Sequence, residues 1–342
     1  MKKPRVLRRA RLGVLACWLG VLLAGGACQP QDRVIVNIRG KRELRAVAAV
    51  AQGQLTPALY DTDYTLVGEM ALLSAVVYAG KKPPGNRPDY QRDQQKYAQE
   101  RARLSALGWR PFPFSYRLQP PEGEYMGGGL TYDVWVKADS GRAPLAALVF
   151  RGTNFGELAD WQANFRPLTN TPGLWDQYEQ VRDLTPALVA RLDAAYGGQQ
   201  RIFATGHSLG GGLAQHAGYS CGRIEKVFAF NTSPLTGYYD LPKAERQAYT
   251  GGRRAFLVYE SNEVLSVLRF VPGYLRNLWS KGDVVLLRYN FSSQFEAPRP
   301  FLQHGIQRLA RGLHRPPEPL AEAAAVQHAA PRPTPAKLKR RY

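Results

Sequence analysis

Apolar residues recur at helical spacing in several stretches of the chain. In residues 64–78 the apolar positions Leu66, Met70, Leu73 and Val77 lie along one face, which predicts an amphipathic helix. Polar sequence with helical character predicts a second helix near 89–106. Further helices are expected near 176–196, after residue 208 and near 306–312.

Strand patterns alternate with these helical segments. Residues 130–138 alternate apolar and polar positions, as a half-buried strand does. Residues 144–150 form a continuous apolar run, which is typical of a strand buried on both faces. Further strands are predicted at 201–205, 226–231, 255–260 and 284–291. Because helical segments separate the strands, we expect an α/β fold with a mainly parallel central sheet.

The beginning of the chain has the pattern of a secretory signal peptide. Within residues 1–27, a basic segment precedes an apolar run at 12–23 and a group of small residues. The apolar run is shorter than the roughly 20 residues that a membrane-spanning helix needs. Cys28 resembles the lipid-modified cysteine of bacterial lipoproteins. We therefore expect export to the bacterial cell envelope, in the periplasm or lipid-anchored at the outer membrane, with secretion as the alternative.

Three further parts follow from composition. Residues 28–63 are expected to be an irregular or loosely packed arm, and residues 64–314 the folded domain. Residues 315–342 are basic and rich in Pro and Ala, with little to bury, which predicts disorder. Only Cys221 accompanies Cys28 after the signal segment, so the chain has no disulfide framework.

About half of the net charge of +19 lies at the two ends of the chain. Residues 1–30 hold six basic and no acidic side chains, and together with the basic tail they account for about half of the excess. The middle of the chain contains no block of like charges and no nucleic-acid-binding motif, which argues against a nucleic-acid partner. A moderately basic body suits an anionic membrane surface.

The sequence Gly-His-Ser-Leu-Gly-Gly at 206–211 carries the strongest chemical signal. It lies between a predicted strand and helix-compatible residues, which is the context of a G-x-S-x-G nucleophile elbow. Ser208 would occupy the strained apex, and Gly206 and Gly210 would let the strand and the helix pass closely. His207 is expected to point away from the apex as a packing residue. Ser208 is therefore the candidate nucleophile.

The chain resembles the class 3 (fungal-type) lipase family in three features. They are this elbow, the sequence Arg151-Gly152-Thr153 after the buried strand, and Trp161 with Asn164. The resemblance covers roughly residues 65–310. It implies an α/β-hydrolase fold, a central sheet flanked by helices, and hydrolysis of lipid or lipid-like esters.

A serine nucleophile needs a base, and that base needs an orienting acid. In this fold the chain order is serine, acid, histidine. His304 follows the last predicted strand and opens the final helix, where the fold places its base; His314 is the alternative. His216 lies on the elbow helix and is expected to be a core or surface residue.

The acid is expected in the loop after the strand at 255–260. The family usually carries aspartate there, whereas this chain offers Glu263 and Glu260. We prefer Glu263 because it precedes an apolar pair, as the family acid does. Asp240 and Asp283 are further alternatives.

The oxyanion of a tetrahedral intermediate needs backbone donors. Leu209, directly after the nucleophile, should supply one N–H, and the resemblance assigns the other to Thr153. Each such donor stabilises a transition state by about 3 kcal/mol. Residues 154–175 lie where lids of the family lie, and they could equally be core.

These features predict an exported serine ester hydrolase that cleaves carboxylic esters of lipids through an acyl-enzyme. No metal-binding pattern or cofactor motif occurs in the sequence, so none is expected. An acyltransferase with the same triad and an inactive lipid-binding protein are the alternatives. The expected partners are a lipid or ester substrate and a membrane surface.

Overall fold

The computed structural model describes residues 33–39, 43–45, 57–79, 89–126, 129–139, 141–152, 174–250, 254–260, 263–265, 283–290 and 300–314. The predicted signal peptide at 1–27, Cys28 and the basic tail at 315–342 lie outside these residues. The strands are β1 (Arg33–Arg39), β2 (Glu43–Arg45), β3 (Trp109–Pro111), β4 (Tyr125–Met126), β5 (Tyr132–Asp139), β6 (Arg142–Phe150), β7 (Leu174–Trp175), β8 (Arg201–His207), β9 (Ile224–Phe230), β10 (Arg254–Glu260) and β11 (Asp283–Asn290).

Helices precede, separate and follow these strands. They are α1 (Pro57–Val76), α2 (Asp89–Ala106), α3 (Gln177–Tyr196), α4 (Leu209–Ser220), α5 (Lys243–Thr250), α6 (Pro300–His304) and α7 (Ile306–His314), with a 3₁₀ helix at Tyr238–Asp240. Among the described helices, none has the length and apolar character that a membrane crossing requires.

Nine of the described strands form one sheet in the order β2-β1-β11-β10-β9-β8-β6-β5-β3. The pairs from β6 through β8, β9, β10 and β11 to β1 are parallel. The outer pairs, β2 with β1, β5 with β6 and β3 with β5, are antiparallel. The predicted α/β fold, with a mainly parallel central sheet flanked by helices, is confirmed. The carboxyl ends of the parallel strands meet at one edge, where ligands bind in open α/β sheets.

The sheet separates two apolar cores. One packs α1 and α7 against side chains such as Phe203 and Phe228, and the other packs α3 and α4 against side chains such as Ala204 and Ala229. Neighbouring residues of β8 and of β9 thus enter opposite cores, as the period of two along a strand requires. Burial on both faces explains why these strands read as continuous apolar runs.

The region before residue 64 differs from its prediction. The sequence suggested an irregular arm at 28–63, but β1 pairs in parallel with β11 over seven residues, and α1 begins at Pro57. The sequence Arg-Val-Ile-Val-Asn-Ile-Arg of β1 is rich in β-branched residues, and a partner strand about 250 residues away completes it. The prediction for α2 is confirmed at both ends.

Candidate active site

The elbow joins β8 to α4 through a strained serine. Ser208 has φ 57° and ψ −124°, a conformation that L residues rarely adopt and that marks functional sites when it occurs. A Cβ on Gly206 would clash with the carbonyl of Gly210, and a Cβ on Gly210 would clash with the carbonyl oxygen of Phe150. The glycines therefore let α4 start directly against β6 and β8, as the motif predicts.

The backbone of Ser208 is held on both sides. Its N–H donates to the carbonyl of Phe230 at 3.0 Å, and its own carbonyl accepts from the N–H of Ser233 at 2.9 Å. The residue is 1% exposed, and its Oγ makes no hydrogen bond to any residue that the structure describes, even though it lies at a helix start where serine often caps. The hydroxyl is thus kept out of structural bonding. In ligand-free hydrolases the bond from nucleophile to base often tightens only with substrate.

Glu263 and His304 form a buried pair. The distance from Glu263 Oε2 to His304 Nδ1 is 2.6 Å, and each residue is 1% exposed. Glu263 Oε2 also accepts from the N–H of Leu265 at 2.9 Å, which fixes the direction of the carboxylate. Because a carboxylate accepts, Nδ1 carries the proton and the Nε2 of a neutral His304 is an acceptor. The structure therefore brings the preferred acid and the preferred base together.

The other acid candidates have different surroundings. Glu260 Oε1 accepts from Arg308 Nε at 2.7 Å, and burial, together with the nearby Glu263, raises the pKa of Glu260 to about 7 against the opposing effect of Arg308. Asp283 is the first residue of β11 and lies opposite Arg254, the first residue of β10, in the strand register. Glu260 is at the other end of β10, so Asp283 lies at the wrong end of the strands. Asp240 lies in the 3₁₀ helix after β9.

The main chain of His304 is held by two side chains. Its carbonyl accepts from His207 Nε2 at 2.6 Å and from Asn231 Nδ2 at 2.9 Å. The rings of His207 and His304 lie 4.8 Å apart between centroids. Since His207 precedes Ser208, these contacts bring the base to the elbow.

The prediction that His207 is a packing residue is incomplete. Its Nδ1 lies 3.2 Å from the hydroxyl of Tyr78, which in turn accepts from the N–H of Gly152 at 3.1 Å. Burial, with the neighbouring His304, lowers the pKa of His207 well below 6.5. Burial therefore favours a neutral His207, with hydrogen bonds at both ring nitrogens.

The remaining described histidines lie elsewhere. The ring of His216 is buried against Tyr178 and near the carbonyl of Thr236, and burial lowers its pKa to about 4. His314, the alternative base, ends α7 with its ring against Gly68 of α1. Neither is positioned by the acid that holds His304.

A comparison with protein families identifies the family of this chain. Residues 69–241 match the family described as phospholipase-like, Tle-like phospholipase domain. The chain belongs to this family. No curated protein is significantly similar to it in sequence.

Among solved structures, this Tle-like chain is similar to an esterase of Pyrobaculum calidifontis, with 14% identity, 76% of this chain and 98% of that chain covered, and a TM-score of 0.32. It is also similar to the dienelactone hydrolase of Anabaena variabilis, with 16% identity, coverages of 59% and 96% and a TM-score of 0.28. A carboxyl esterase of the fungus Tuber melanosporum gives 9% identity, coverages of 60% and 87% and a TM-score of 0.32. At such low scores these likenesses carry no argument about substrate.

The structure describes one of the two predicted oxyanion donors. Leu209 is the first residue of α4, and the first N–H groups of a helix lack acceptors within that helix. Thr153 and residues 154–173 of the segment predicted as lid or core lie outside the described residues. Gly152, immediately before Thr153, is described and contacts Tyr78.

Three contributors to the site escaped sequence reasoning: Tyr78, Asn231 and Arg308. Asn231 has φ 39° and follows β9 at the carboxyl edge of the sheet, a position that can be read from the sequence as a strand end. Tyr78 and Arg308 could not be predicted in this way, because their partners, His207 and Glu260, are distant along the chain. In the part of the chain that the structure describes, no group of three His, Cys, Asp or Glu side chains could hold a metal ion.

Proposed function

We propose that this Tle-like domain is a serine ester hydrolase in which Ser208 is the nucleophile, His304 the general base and acid, and Glu263 the orienting acid. The observation that carries the proposal is the buried 2.6 Å contact from Glu263 Oε2 to His304 Nδ1, beside the strained Ser208. The three residues follow the chain order serine, acid, histidine of α/β-hydrolases.

The chemistry proceeds by two acyl transfers. Ser208 Oγ attacks the ester carbonyl while His304 Nε2 takes the hydroxyl proton, and the imidazolium then protonates the departing alcohol. Water attacks the resulting acyl-enzyme with His304 again as the base, which releases the acid and regenerates the serine. In both steps the Glu263 carboxylate stabilises the transient positive charge on the imidazole.

The oxyanion of each tetrahedral intermediate would accept from the N–H of Leu209. We assign the second donor to Thr153, as the resemblance to class 3 lipases implies. Preorganised donors of this type need no reorientation when negative charge develops, which is why each lowers the barrier by about 3 kcal/mol.

For the substrate we propose the carboxylic ester bonds of phospholipids. The family match is to a phospholipase-like domain, and the basic body of the chain suits an anionic lipid surface. The signal segment at 1–27 and Cys28 support an exported protein with a lipid anchor in the cell envelope. Mass spectrometry of the mature amino terminus should find a lipid-modified Cys28, and an unmodified cysteine would contradict the anchor.

The proposed activity can be tested by incubating the purified protein with phospholipid vesicles and with soluble short-acyl esters. We expect release of fatty acid from the vesicles, and a Ser208→Ala variant should lose at least about 10³-fold in kcat for both substrates. Circular dichroism should show an unchanged fold. Equal turnover by the variant would contradict Ser208 as the nucleophile, and hydrolysis of soluble esters alone would contradict the phospholipid assignment.

A further inference from the structure

A chain of hydrogen bonds crosses the site beneath the proposed triad. It begins at the N–H of Gly152, passes through the hydroxyl of Tyr78 and the ring of His207, and ends at the carbonyl of His304. The distances along it are 3.1, 3.2 and 2.6 Å. It connects the strand end that leads into Thr153 with the main chain of the base.

The two ends of this chain have fixed directions, and a neutral His207 fixes the bond between them. The carbonyl of His304 can only accept, so His207 Nε2 must carry a proton and donate it. Neutral His207 then has an unprotonated Nδ1, which accepts from the Tyr78 hydroxyl. The Tyr78 oxygen accepts from the N–H of Gly152. A single tautomer of His207 satisfies all three contacts.

The elements that carry this chain are well fixed. Tyr78 follows α1, His207 ends β8, and a Cβ on Gly152 would clash with the carbonyl of His207. Asn231 supplies the second donor to the carbonyl of His304, and its Oδ1 accepts from the N–H of Glu260 at 2.9 Å. Two independent side chains therefore hold the backbone of the residue whose imidazole must reach Ser208.

We propose that His207, with its tautomer set by Tyr78, is a positioning residue. It holds His304 against the elbow and, through Tyr78, links His304 to the strand end at Gly152. This inference rests on the proposed ester hydrolysis. The elbow histidine acts through the main chain of the base and exchanges no proton with substrate. Misplacing a catalytic group by about 1 Å can cost roughly 100-fold in rate, so such a role is measurable.

Two substitutions of His207 separate positioning from packing. The amide nitrogen of glutamine reaches about as far as Nε2 and can still donate to the carbonyl of His304, whereas the shorter asparagine amide reaches only about as far as Nδ1. We expect His207→Gln to keep kcat within roughly 3-fold and His207→Asn to lower it roughly 30- to 100-fold, with KM little changed in both. If His207 served only for packing, the kcat of both variants would fall in parallel with their melting temperatures.

Tyr78→Phe tests the other end of the chain and has a matched control. It removes the hydroxyl and keeps the ring, which lies edge-on to His207 with centroids 6.0 Å apart. Tyr178 makes a similar edge-on contact with His216 at 5.3 Å, and its hydroxyl donates to the carbonyl of Leu235 away from the site. We expect Tyr78→Phe, which loses the hydroxyl contacts to His207 and Gly152, to lower kcat roughly 10-fold. Tyr178→Phe also removes a tyrosine hydroxyl and its contact to Leu235, and it should leave kcat unchanged.

A spectroscopic measurement checks the geometry without turnover. Nitrogen-15 NMR of the histidines, with the His207 signals assigned by their loss in His207→Gln, should show a neutral ring protonated at Nε2. A ring protonated at Nδ1 would overturn the proposal, as would wild-type kcat in both Tyr78→Phe and His207→Asn. Equal losses in Tyr78→Phe and Tyr178→Phe would also overturn it. A wild-type protein that hydrolyses no ester would instead contradict the proposed function, and the positioning role with it.

Discussion

Glu260 and Glu263 have the same type of side chain, lie three residues apart and are equally buried, yet they have different partners. Glu260 accepts from the guanidinium of Arg308, and Glu263 accepts from the imidazole of His304. Arginine stays charged at all relevant pH values, so it can only neutralise a carboxylate. Histidine changes charge near neutrality, so a carboxylate beside it can support proton transfer. The partner, more than burial, determines what each glutamate can do.

The local backbone explains this difference in partners. Glu260 is the last residue of β10, and its N–H is bound by Asn231, which directs the side chain toward α7. Glu263 lies beyond the strand, where the N–H of Leu265 turns its carboxylate. The strand end therefore carries the ion pair with α7, and the loop carries the proposed acid.

The largest expected effect is the loss of activity on substituting Glu263. Glu263→Gln keeps the size of the side chain but removes the negative charge that stabilises the His304 imidazolium. We expect kcat to fall roughly 10³- to 10⁴-fold, as for other triads that lose their acid. Steady-state kinetics on a soluble ester would measure it.

Glu260→Gln is the matched control, because it makes the same chemical change at an equally buried position. We expect its kcat at pH 8 to stay within roughly 10-fold of wild type. A larger loss at Glu260 than at Glu263 would reverse the assignment of the acid.

The comparison also shows what could be read from the sequence. Ser208, Glu263 and His304 were predicted because the elbow is a local motif and the chain order of a hydrolase limits the choices. The contacts of His207 could not be predicted, because its two partners lie 129 and 97 residues away and no spacing rule links them. β1 was read as an irregular arm for a similar reason, since only its distant partner β11 completes it.

The second effect is a pH dependence of stability that belongs to Glu260. Burial is the main cause that raises its folded pKa to about 7, above the ordinary value of 4.5 for a glutamate. The folded protein then binds more protons than the unfolded chain between these values, so stability falls as the pH rises through this window. The full shift corresponds to about 3 kcal/mol.

Urea unfolding of wild type and Glu260→Gln at several pH values would measure this effect. The stability of wild type relative to the variant should decrease between pH 4.5 and 7 and stay constant above that range. Glu100, whose pKa burial also raises to about 7, is present in both proteins and cancels in the difference. A difference that does not change with pH would contradict the assignment to Glu260.

The smallest expected effect concerns Arg308, the partner that distinguishes Glu260 from Glu263. Arg308→Met keeps most of the aliphatic length but leaves the Glu260 carboxylate buried without its guanidinium. Because the Arg308 side chain is 35% exposed, we expect a loss of only about 1–2 kcal/mol at pH 8, below the cost for a fully buried pair. Adding Glu260→Gln should restore part of this loss, since the double variant no longer buries an unpaired charge. If the changes in the free energy of unfolding of the two substitutions are simply additive, the ion pair does not stabilise the strand end. The difference between the two glutamates would then depend on the partner of Glu263 alone.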